Sequence, residues 1–280
     1  MSPAAAYDGR WRILPNVASE EAGIHSDAVA RGLGFRAGPV LGHHVAQAVV
    51  PAVVAAYGGS WFEGGWVDLK LVSPVFDDEE VRERASPGEG GELALTVETR
   101  AGRIALVGRA GLGARDPWDE SRDGTRGSEG VLPGVRLGAP VAEVSRTVTE
   151  ADVSELCDIA GDETPWYRGE TPWGGPIAPP LSLLLHAHDI QVEFPPGPGV
   201  IPQAMGSDFQ VVMERPVPLG EPVRVRTRWV DKGVSGRCWF RTIEFVTRTE
   251  DGRDAARGRQ RVKWFIETDE QAAPPPGGRR

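Results

Sequence analysis

The decapeptide WVDLKLVSPV (Trp66–Val75) determines the fold expected of this chain, because a diverged copy, DFQVVMERPV (Asp208–Val217), follows 142 positions later. Both copies contain alternating apolar and polar residues, a pattern typical of a strand with one buried face. Each copy ends near a proline, Pro74 or Pro216, and is followed by a turn and a further strand. Self-similarity at a fixed offset indicates that one structural unit occurs twice.

Short alternating runs after each decapeptide predict the remaining strands. In the first half they lie at residues 80–85, 92–100 and 103–111, with a turn at Ala101-Gly102. In the second half they lie at residues 222–231, 236–249 and 257–267. Each half also carries an apolar segment before its strands. We therefore predict an α+β protein with two antiparallel sheets, each wrapping a buried helix.

The buried helices are predicted at residues 43–57 and 181–190. The first is rich in Ala and Val and apolar on nearly all sides, which indicates burial, and Pro51 within it predicts a kink or a break. A third helix is predicted to begin at Thr149, because acidic residues follow this capping side chain.

Composition divides the chain into two repeats. Residues 112–140 are rich in Gly, Asp, Arg, Pro and Ser and lack periodicity, which predicts a linker or a long surface loop. The N-terminal repeat then covers residues 1–111 and the C-terminal repeat residues 141–269. Residues 270–280 are predicted to form a disordered tail.

Candidate functional residues precede each apolar helix. In the first half, Glu20 is followed five residues later by His25. In the second half, Asp162 is followed five residues later by Tyr167. Between the repeats, we align Gly38-Pro39-Val40 with Gly175-Pro176-Ile177.

These loops resemble a known family. CDIAGDETPWY (Cys157–Tyr167) followed by GPIAPPL (Gly175–Leu181) resembles the motif of MaoC-like (R)-specific enoyl-thioester hydratases and dehydratases, Ala-x-x-Ser-Gly-Asp-x-Asn-Pro-Ile-His and then Ile-Ala-His-Gly. The first half is similar through Ile24-His25-x-Asp27, Gly34-Phe35 and Val40-Leu41-Gly42. The resemblance covers most of the chain and implies a tandem, or double, hot-dog arrangement.

The resemblance also implies a function. In this family an Asp and a His share a water molecule and add water to, or remove it from, a 2-enoyl thioester. Backbone N–H groups at the start of the buried helix polarise the thioester carbonyl. No metal and no cofactor are expected, and the small acyl substrate would be carried by CoA or by the phosphopantetheine of a carrier protein.

This sequence departs from the motif in both halves. Tyr167 replaces the histidine beside Asp162, and Glu20 takes the place of the aspartate before His25. We expect Glu20 and His25 to form the base/acid pair and Asp162 and Tyr167 to line a second pocket; pairing of His25 with Asp162 across the repeats is an alternative. The expected substrate contacts are Gly42, His43, Trp66, Trp166, Trp173, Gly175 and Ile177.

Structural roles compete with these assignments. His25 could cap a helix, Asp162 could belong to an ordinary turn, and the aromatic residues could fill space in the core. Two further functions stay open. A scaffold that has lost dehydration could bind a large polyketide-like substrate and promote its cyclisation, or the chain could be a non-catalytic partner subunit.

Composition narrows the class of protein. The net charge of -9 argues against nucleic-acid binding and against anionic membrane surfaces. The N-terminus lacks the pattern of a secretion signal, and the longest apolar run, residues 45–57, is too short to span a bilayer. Cys157 and Cys238 show no metal-binding spacing and are expected to be reduced in a cytoplasmic protein. A monomer and a homodimer of the tandem unit are both compatible with the sequence.

Overall fold

The computed structural model describes residues 6–17, 23–113, 130–192 and 200–266. Glu20 therefore lies outside the described residues. The same holds for the tail predicted at residues 270–280 and for most of the linker predicted at residues 112–140. Both repeats are otherwise described along most of their length.

Eleven strands in the described ranges form one antiparallel sheet. The first half contributes β1 (Tyr7–Asp8), β2 (Arg12–Ile13), β3 (Gly65–Leu71), β4 (Glu80–Pro87), β5 (Leu93–Thr99) and β6 (Ile104–Leu112). The second half contributes β7 (Pro140–Thr147), β8 (Val200–Met213), β9 (Pro222–Ser235), β10 (Cys238–Thr249) and β11 (Asp254–Ile266). The order is β1-β4-β5-β6-β3-β8-β11-β10-β9-β7, with β2 paired to β4. The two predicted sheets thus meet edge to edge.

The pairing of β3 with β8 joins the two halves around a local twofold axis. Asp68 pairs with Gln210, and Lys70 pairs with Asp208. Asp68 and Gln210 are separated by 142 positions, the offset of the sequence repeat. Equivalent residues of the two repeats therefore face each other at the centre of the sheet, as twofold symmetry requires. Gln210 Nε2 also donates a hydrogen bond to Asp68 Oδ1 over 3.3 Å.

Five α-helices in the described ranges pack on this sheet: α1 (Asp27–Gly32), α2 (Gly42–Gln47), α3 (Val50–Tyr57), α4 (Glu150–Val153) and α5 (Pro180–Val192). The break predicted around Pro51 is confirmed, because this proline lies in the first turn of α3, where a missing N–H breaks no helical hydrogen bond. The predicted helix start at Thr149 is also confirmed, since Thr149 and Asp152 form a capping box.

The predicted strands are confirmed, but two edge strands were missed. β1 has only two residues, and β7 contains no buried residue. β7 pairs with β9 alone, at the border of the sheet. An edge strand of this kind buries too little apolar surface to leave a clear alternating pattern in the sequence.

The alignment of the loops before the helices needs a shift of one residue. Val40 N donates to Val75 O, and in the second half Ala178 N donates to Val217 O, both over 2.8 Å. Val40 therefore corresponds to Ala178, and the predicted match of Val40 with Ile177 is wrong. The helix starts agree with the new alignment, since α2 begins at Gly42 and α5 at Pro180.

The helical stretch Gly42–Glu63 has 22 residues and a mean hydropathy of 1.3 in its most apolar window. By length and composition alone it could cross a membrane, which corrects the expectation from the apolar run at residues 45–57. However, 56% of that window is buried inside the fold. Packing against the sheet is sufficient to explain its apolar composition.

Arg12 ties the first repeat to the second. Its guanidinium contacts the carboxylate of Glu83 at 2.5 Å and donates to the carbonyl oxygens of Ala160 at 3.0 Å and Ala48 at 3.3 Å. The Glu83 side chain is only 3% exposed. Arg12 therefore neutralises a buried charge on β4 while holding the loop that carries Asp162.

We predict that Arg12→Met lowers the free energy of unfolding by about 3–5 kcal/mol, because it leaves Glu83 buried without its cation. Arg10→Met is the matched control: its partner is Glu163, and the two side chains are 69% and 81% exposed. Loss of that exposed pair should cost less than about 1 kcal/mol. Urea denaturation of both variants measures the difference, and equal losses would contradict the assigned role of Arg12.

Candidate active site

His25 has a defined ring orientation and tautomer. It ends a 3₁₀ turn, Gly23–His25, just before α1, which Ser26 caps. Its Nδ1 lies 2.8 Å from the carbonyl oxygen of Pro39. Since a carbonyl oxygen can only accept, Nδ1 must carry the hydrogen, and in the neutral ring Nε2 keeps its lone pair. His25 is therefore prepared to accept a proton at Nε2.

Two side chains stabilise the loop that contains His25 by hydrogen bonds to its backbone. The Asn16 amide donates to the carbonyl oxygens of His25 at 2.8 Å and Gly38 at 3.3 Å. Asp27 Oδ1 accepts a hydrogen bond from Gly38 N over 2.9 Å. A Cβ on Gly38 would lie 2.0 Å from the carbonyl oxygen of His25, so only glycine permits this approach.

A cavity of about 220 Å³ lies beside His25, at the junction of the two repeats. Much of its lining is apolar, including Val40, Leu41, Val45, Leu71, Val75, Met205 and Phe209. The polar side chains in the lining are His25, His43, Ser73, His188, Ser207, Gln260 and Lys263. Because β8, β11 and α5 contribute part of the wall, neither repeat alone would form this cavity.

The three histidines in the lining are neutral near pH 7. Burial lowers the pKa of His25, against an opposing effect of its hydrogen bond to Pro39. Burial also lowers the pKa of His188, and it lowers that of His43 well below its usual value. Each ring therefore offers one donor and one acceptor nitrogen rather than a positive charge.

Asp162 lies in a closed environment, away from this cavity. It is 1% exposed. Its carboxylate accepts hydrogen bonds from Gln47 Nε2 at 2.6 Å and from Thr164 N at 2.9 Å. Burial raises its pKa, and these hydrogen bonds oppose that rise. The contact with Gln47 connects the second-half loop to α2 of the first half, which is a structural role, and it does not bring Asp162 to His25.

Tyr167 and its aromatic neighbours fill the space where a second pocket was expected. The Tyr167 ring is fully buried, and burial raises the pKa of its hydroxyl well above the usual value. Phe62 packs edge-on against Trp166, Trp173 and Tyr167, with ring centroids 5.4, 5.8 and 6.3 Å away. Phe62, Trp166, Tyr167 and Trp173 thus form one packed cluster, here called the aromatic plug.

The predicted substrate contacts fall into two groups. Gly42 and His43 line the cavity with His25. Trp66 is buried within β3, and Trp166 and Trp173 belong to the aromatic plug. Gly175 lies in the loop before α5, and Ile177 N donates to the carbonyl of Trp166. These last five residues do not line the cavity that contains His25.

Sequence reasoning missed the residues that the second repeat contributes, above all His188, Ser207, Gln260 and Lys263. A histidine within an otherwise apolar helix was the available signal. Among the described residues, no group of three or more His, Cys, Asp or Glu side chains is arranged to hold a metal ion.

Comparison with solved structures identifies the architecture. A Mycobacterium tuberculosis protein described as having a double hot-dog fold superposes with a TM-score of 0.63 at 13% identity, over 95% of this chain and 96% of that one. The chain has a double hot-dog fold. A protein described as a MaoC-domain dehydratase from Chloroflexus aurantiacus gives a TM-score of 0.68 at 10% identity, covering 96% of this chain and 97% of that one.

A further neighbour, described as a MaoC-like dehydratase, gives a TM-score of 0.57 at 12% identity over 94% of this chain and 98% of that one. No protein-family model and no curated protein matches the sequence. Structural similarity at these identities establishes the fold, while activity has to be argued from the site.

We predict that Gly38→Ala destabilises the protein by about 1–3 kcal/mol, because the new Cβ forces the backbone of Gly38 away from His25. Gly32→Ala in α1 is the control, since nothing lies within 4 Å of the position that its Cβ would take and its backbone suits alanine. That variant should be neutral or stabilised by up to about 1 kcal/mol. Denaturant titration compares them, and a Gly38→Ala protein as stable as the parent would refute the close approach.

Proposed function

We propose that the protein is a hydratase or dehydratase that interconverts a 2-enoyl thioester and a 3-hydroxyacyl thioester carried by CoA or an acyl carrier protein. One observation carries the proposal: His25 presents an unprotonated Nε2 beside a largely apolar cavity between the repeats. The resemblance of the first-half loop to the MaoC-like motif and the double hot-dog fold support the same reaction class.

The reaction can proceed with His25 as acid and base in turn. In the dehydration direction, Nε2 takes the proton from C2 of the 3-hydroxyacyl thioester. The electron pair of the broken C–H bond is first held as an enolate of the thioester, and it then forms the C2–C3 double bond as the C3–O bond breaks. The hydroxyl group leaves with the proton from Nε2, which forms water and restores neutral His25. Hydration follows the same steps in reverse.

The cavity offers suitable contacts for the rest of the substrate. The apolar side chains, such as Leu71 and Phe209, suit an acyl chain. Gly42 and His43 begin α2 beside the cavity, so their backbone amides are candidates to polarise the thioester carbonyl. Lys263 adds a positive charge to the lining, which suits the phosphate groups of CoA or phosphopantetheine.

Glu20 stays a predicted partner of His25. The lining of the cavity among the described residues contains no carboxylate. The mechanism above therefore assigns proton transfer to His25 alone, and a contribution from Glu20 is an additional proposal tested through Glu20→Gln.

The cyclase alternative has less support. In a cyclase of this kind, Asp162, Tyr167 and the tryptophans would contact the substrate, but the first two are 1% and 0% exposed. A bulky substrate would have to displace the aromatic plug to reach them. The alternative of a non-catalytic subunit predicts no turnover by the isolated chain, which the same assay measures.

We predict that His25→Ala lowers kcat/KM for hydration of a 2-enoyl-CoA by at least about a hundredfold, because the reaction loses its proton carrier. His44→Gln is a matched control, since His44 neighbours the cavity residue His43 but is fully buried and does not line the cavity. Asp162→Asn tests the second site. Retained activity in His25→Ala, together with loss in Asp162→Asn, would move the active site to the C-terminal loop.

The pH dependence of kcat/KM should report the neutral state of His25. Burial places the pKa of His25 below its usual value of 6.5. The base works only when unprotonated, so kcat/KM should be level at about pH 8 and fall to half of that value at a pH below 6.5. A stopped assay in overlapping buffers measures the profile. A midpoint at or above 6.5 would contradict His25 as the buried base.

A further inference from the structure

His188 brings a second imidazole into the His25 cavity from the other repeat. It lies on α5, the buried helix of the C-terminal half, and it lines the cavity together with His25. The two rings therefore border the same space from opposite repeats. The active cavity proposed above is thus completed by a residue of the repeat whose own site is plugged.

Gln260 determines the tautomer of His188. The Nε2 of this β11 side chain lies 3.0 Å from His188 Nδ1, and Gln260 is 1% exposed. An amide nitrogen can only donate, so His188 Nδ1 must accept. In the neutral ring the hydrogen is then on Nε2. His188 therefore has the opposite tautomer to His25, whose hydrogen is on Nδ1.

We propose that His188 is a catalytic hydrogen-bond donor, whose Nε2–H binds the carbonyl oxygen of the thioester, and that Gln260 is its positioning residue. The assignment rests on the proposed hydratase or dehydratase function. Because the Nε2–H of His188 is a hydrogen-bond donor, the ligand atom that it binds must be an acceptor. The carbonyl oxygen of the thioester fits, since it gains negative charge when the proton leaves C2.

Because their tautomers are opposite, the two rings have different roles in the proposed reaction. When His25 takes the C2 proton, electron density moves to the thioester oxygen as an enolate. A donor fixed in advance at that oxygen stabilises the transition state more than the ground state. A neutral imidazole can fill this role without giving up its proton. Burial, which lowers the pKa of His188, keeps the ring neutral at physiological pH.

Kinetics of single variants test the role. His188→Leu should lower kcat for 2-enoyl-CoA hydration by about a hundredfold while KM changes less than about threefold, because a transition-state donor is lost. His188→Gln, which offers an amide N–H in place of the ring Nε2–H, should recover at least about tenfold of that loss. Gln260→Leu should lower kcat by about tenfold, since the ring loses its fixed tautomer.

His186→Leu is the matched control. His186 lies two residues away on α5, is 9% exposed and does not line the cavity. Its kcat should stay within about threefold of the parent, as expected for a change outside the site. Equal losses in His186→Leu and His188→Leu would show a general effect on α5 and would overturn the proposal.

A spectroscopic readout is independent of turnover. Nitrogen-15 NMR of histidine-labelled full-length protein, assigned with His188→Gln, should show an unprotonated Nδ1 and a protonated Nε2 for His188. Gln260→Leu should shift this ring toward a mixture of tautomers. A protonated Nδ1 in the parent protein would overturn the proposal whatever the activity.

The kinetic results distinguish a failure of the role proposed for His188 from a failure of the proposed function. Turnover by the parent protein with unchanged kcat in His188→Leu overturns the role of His188 and leaves the proposed function intact. No turnover of any 2-enoyl thioester by the parent protein overturns the proposed function and, with it, this role.

Discussion

The antiparallel pairing of β3 with β8 is the constraint on which the rest of the structure depends. It joins the two repeats into one sheet and places Asp68 opposite its equivalent, Gln210. Because the repeats are related by a twofold axis at this point, each loop lies against the other repeat: the His25 turn against β8, and the Asp162 loop against α2. The site next to His25 therefore takes β8, β11 and α5 from the second repeat.

The two repeats share one backbone arrangement, but their side chains differ. Two equivalent sites exist in principle, but Phe62 fills one with its neighbours Trp166 and Trp173. The other, beside His25, is an open cavity. Asp162 and Gln47 in the closed half contribute to the contact between repeats instead. A duplicated fold can thus keep one cavity open while an aromatic cluster fills the equivalent place in the other repeat and contributes buried apolar surface.

Hydrogen bonds to the two imidazole rings determine which ring nitrogens in the open cavity are donors and which are acceptors. A carbonyl oxygen fixes the hydrogen of His25 on Nδ1, and an amide nitrogen fixes that of His188 on Nε2. Two identical side chains therefore offer opposite functions, an acceptor nitrogen and a donor nitrogen. Neither role depends on a charge, which suits a cavity whose walls disfavour charged groups.

The sequence by itself determined the duplication, the main strands and the helix break near Pro51, and it made His25 a candidate catalytic residue, because alternation, proline and motif spacing are local signals. It did not reveal β7, whose residues are all at least partly exposed, or the plug formed by Phe62. Only the tertiary structure decided that His25 shares a cavity with His188 and that Asp162 does not. Those outcomes depend on pairing between distant segments of the chain and on side-chain volume in three dimensions, which no local pattern encodes.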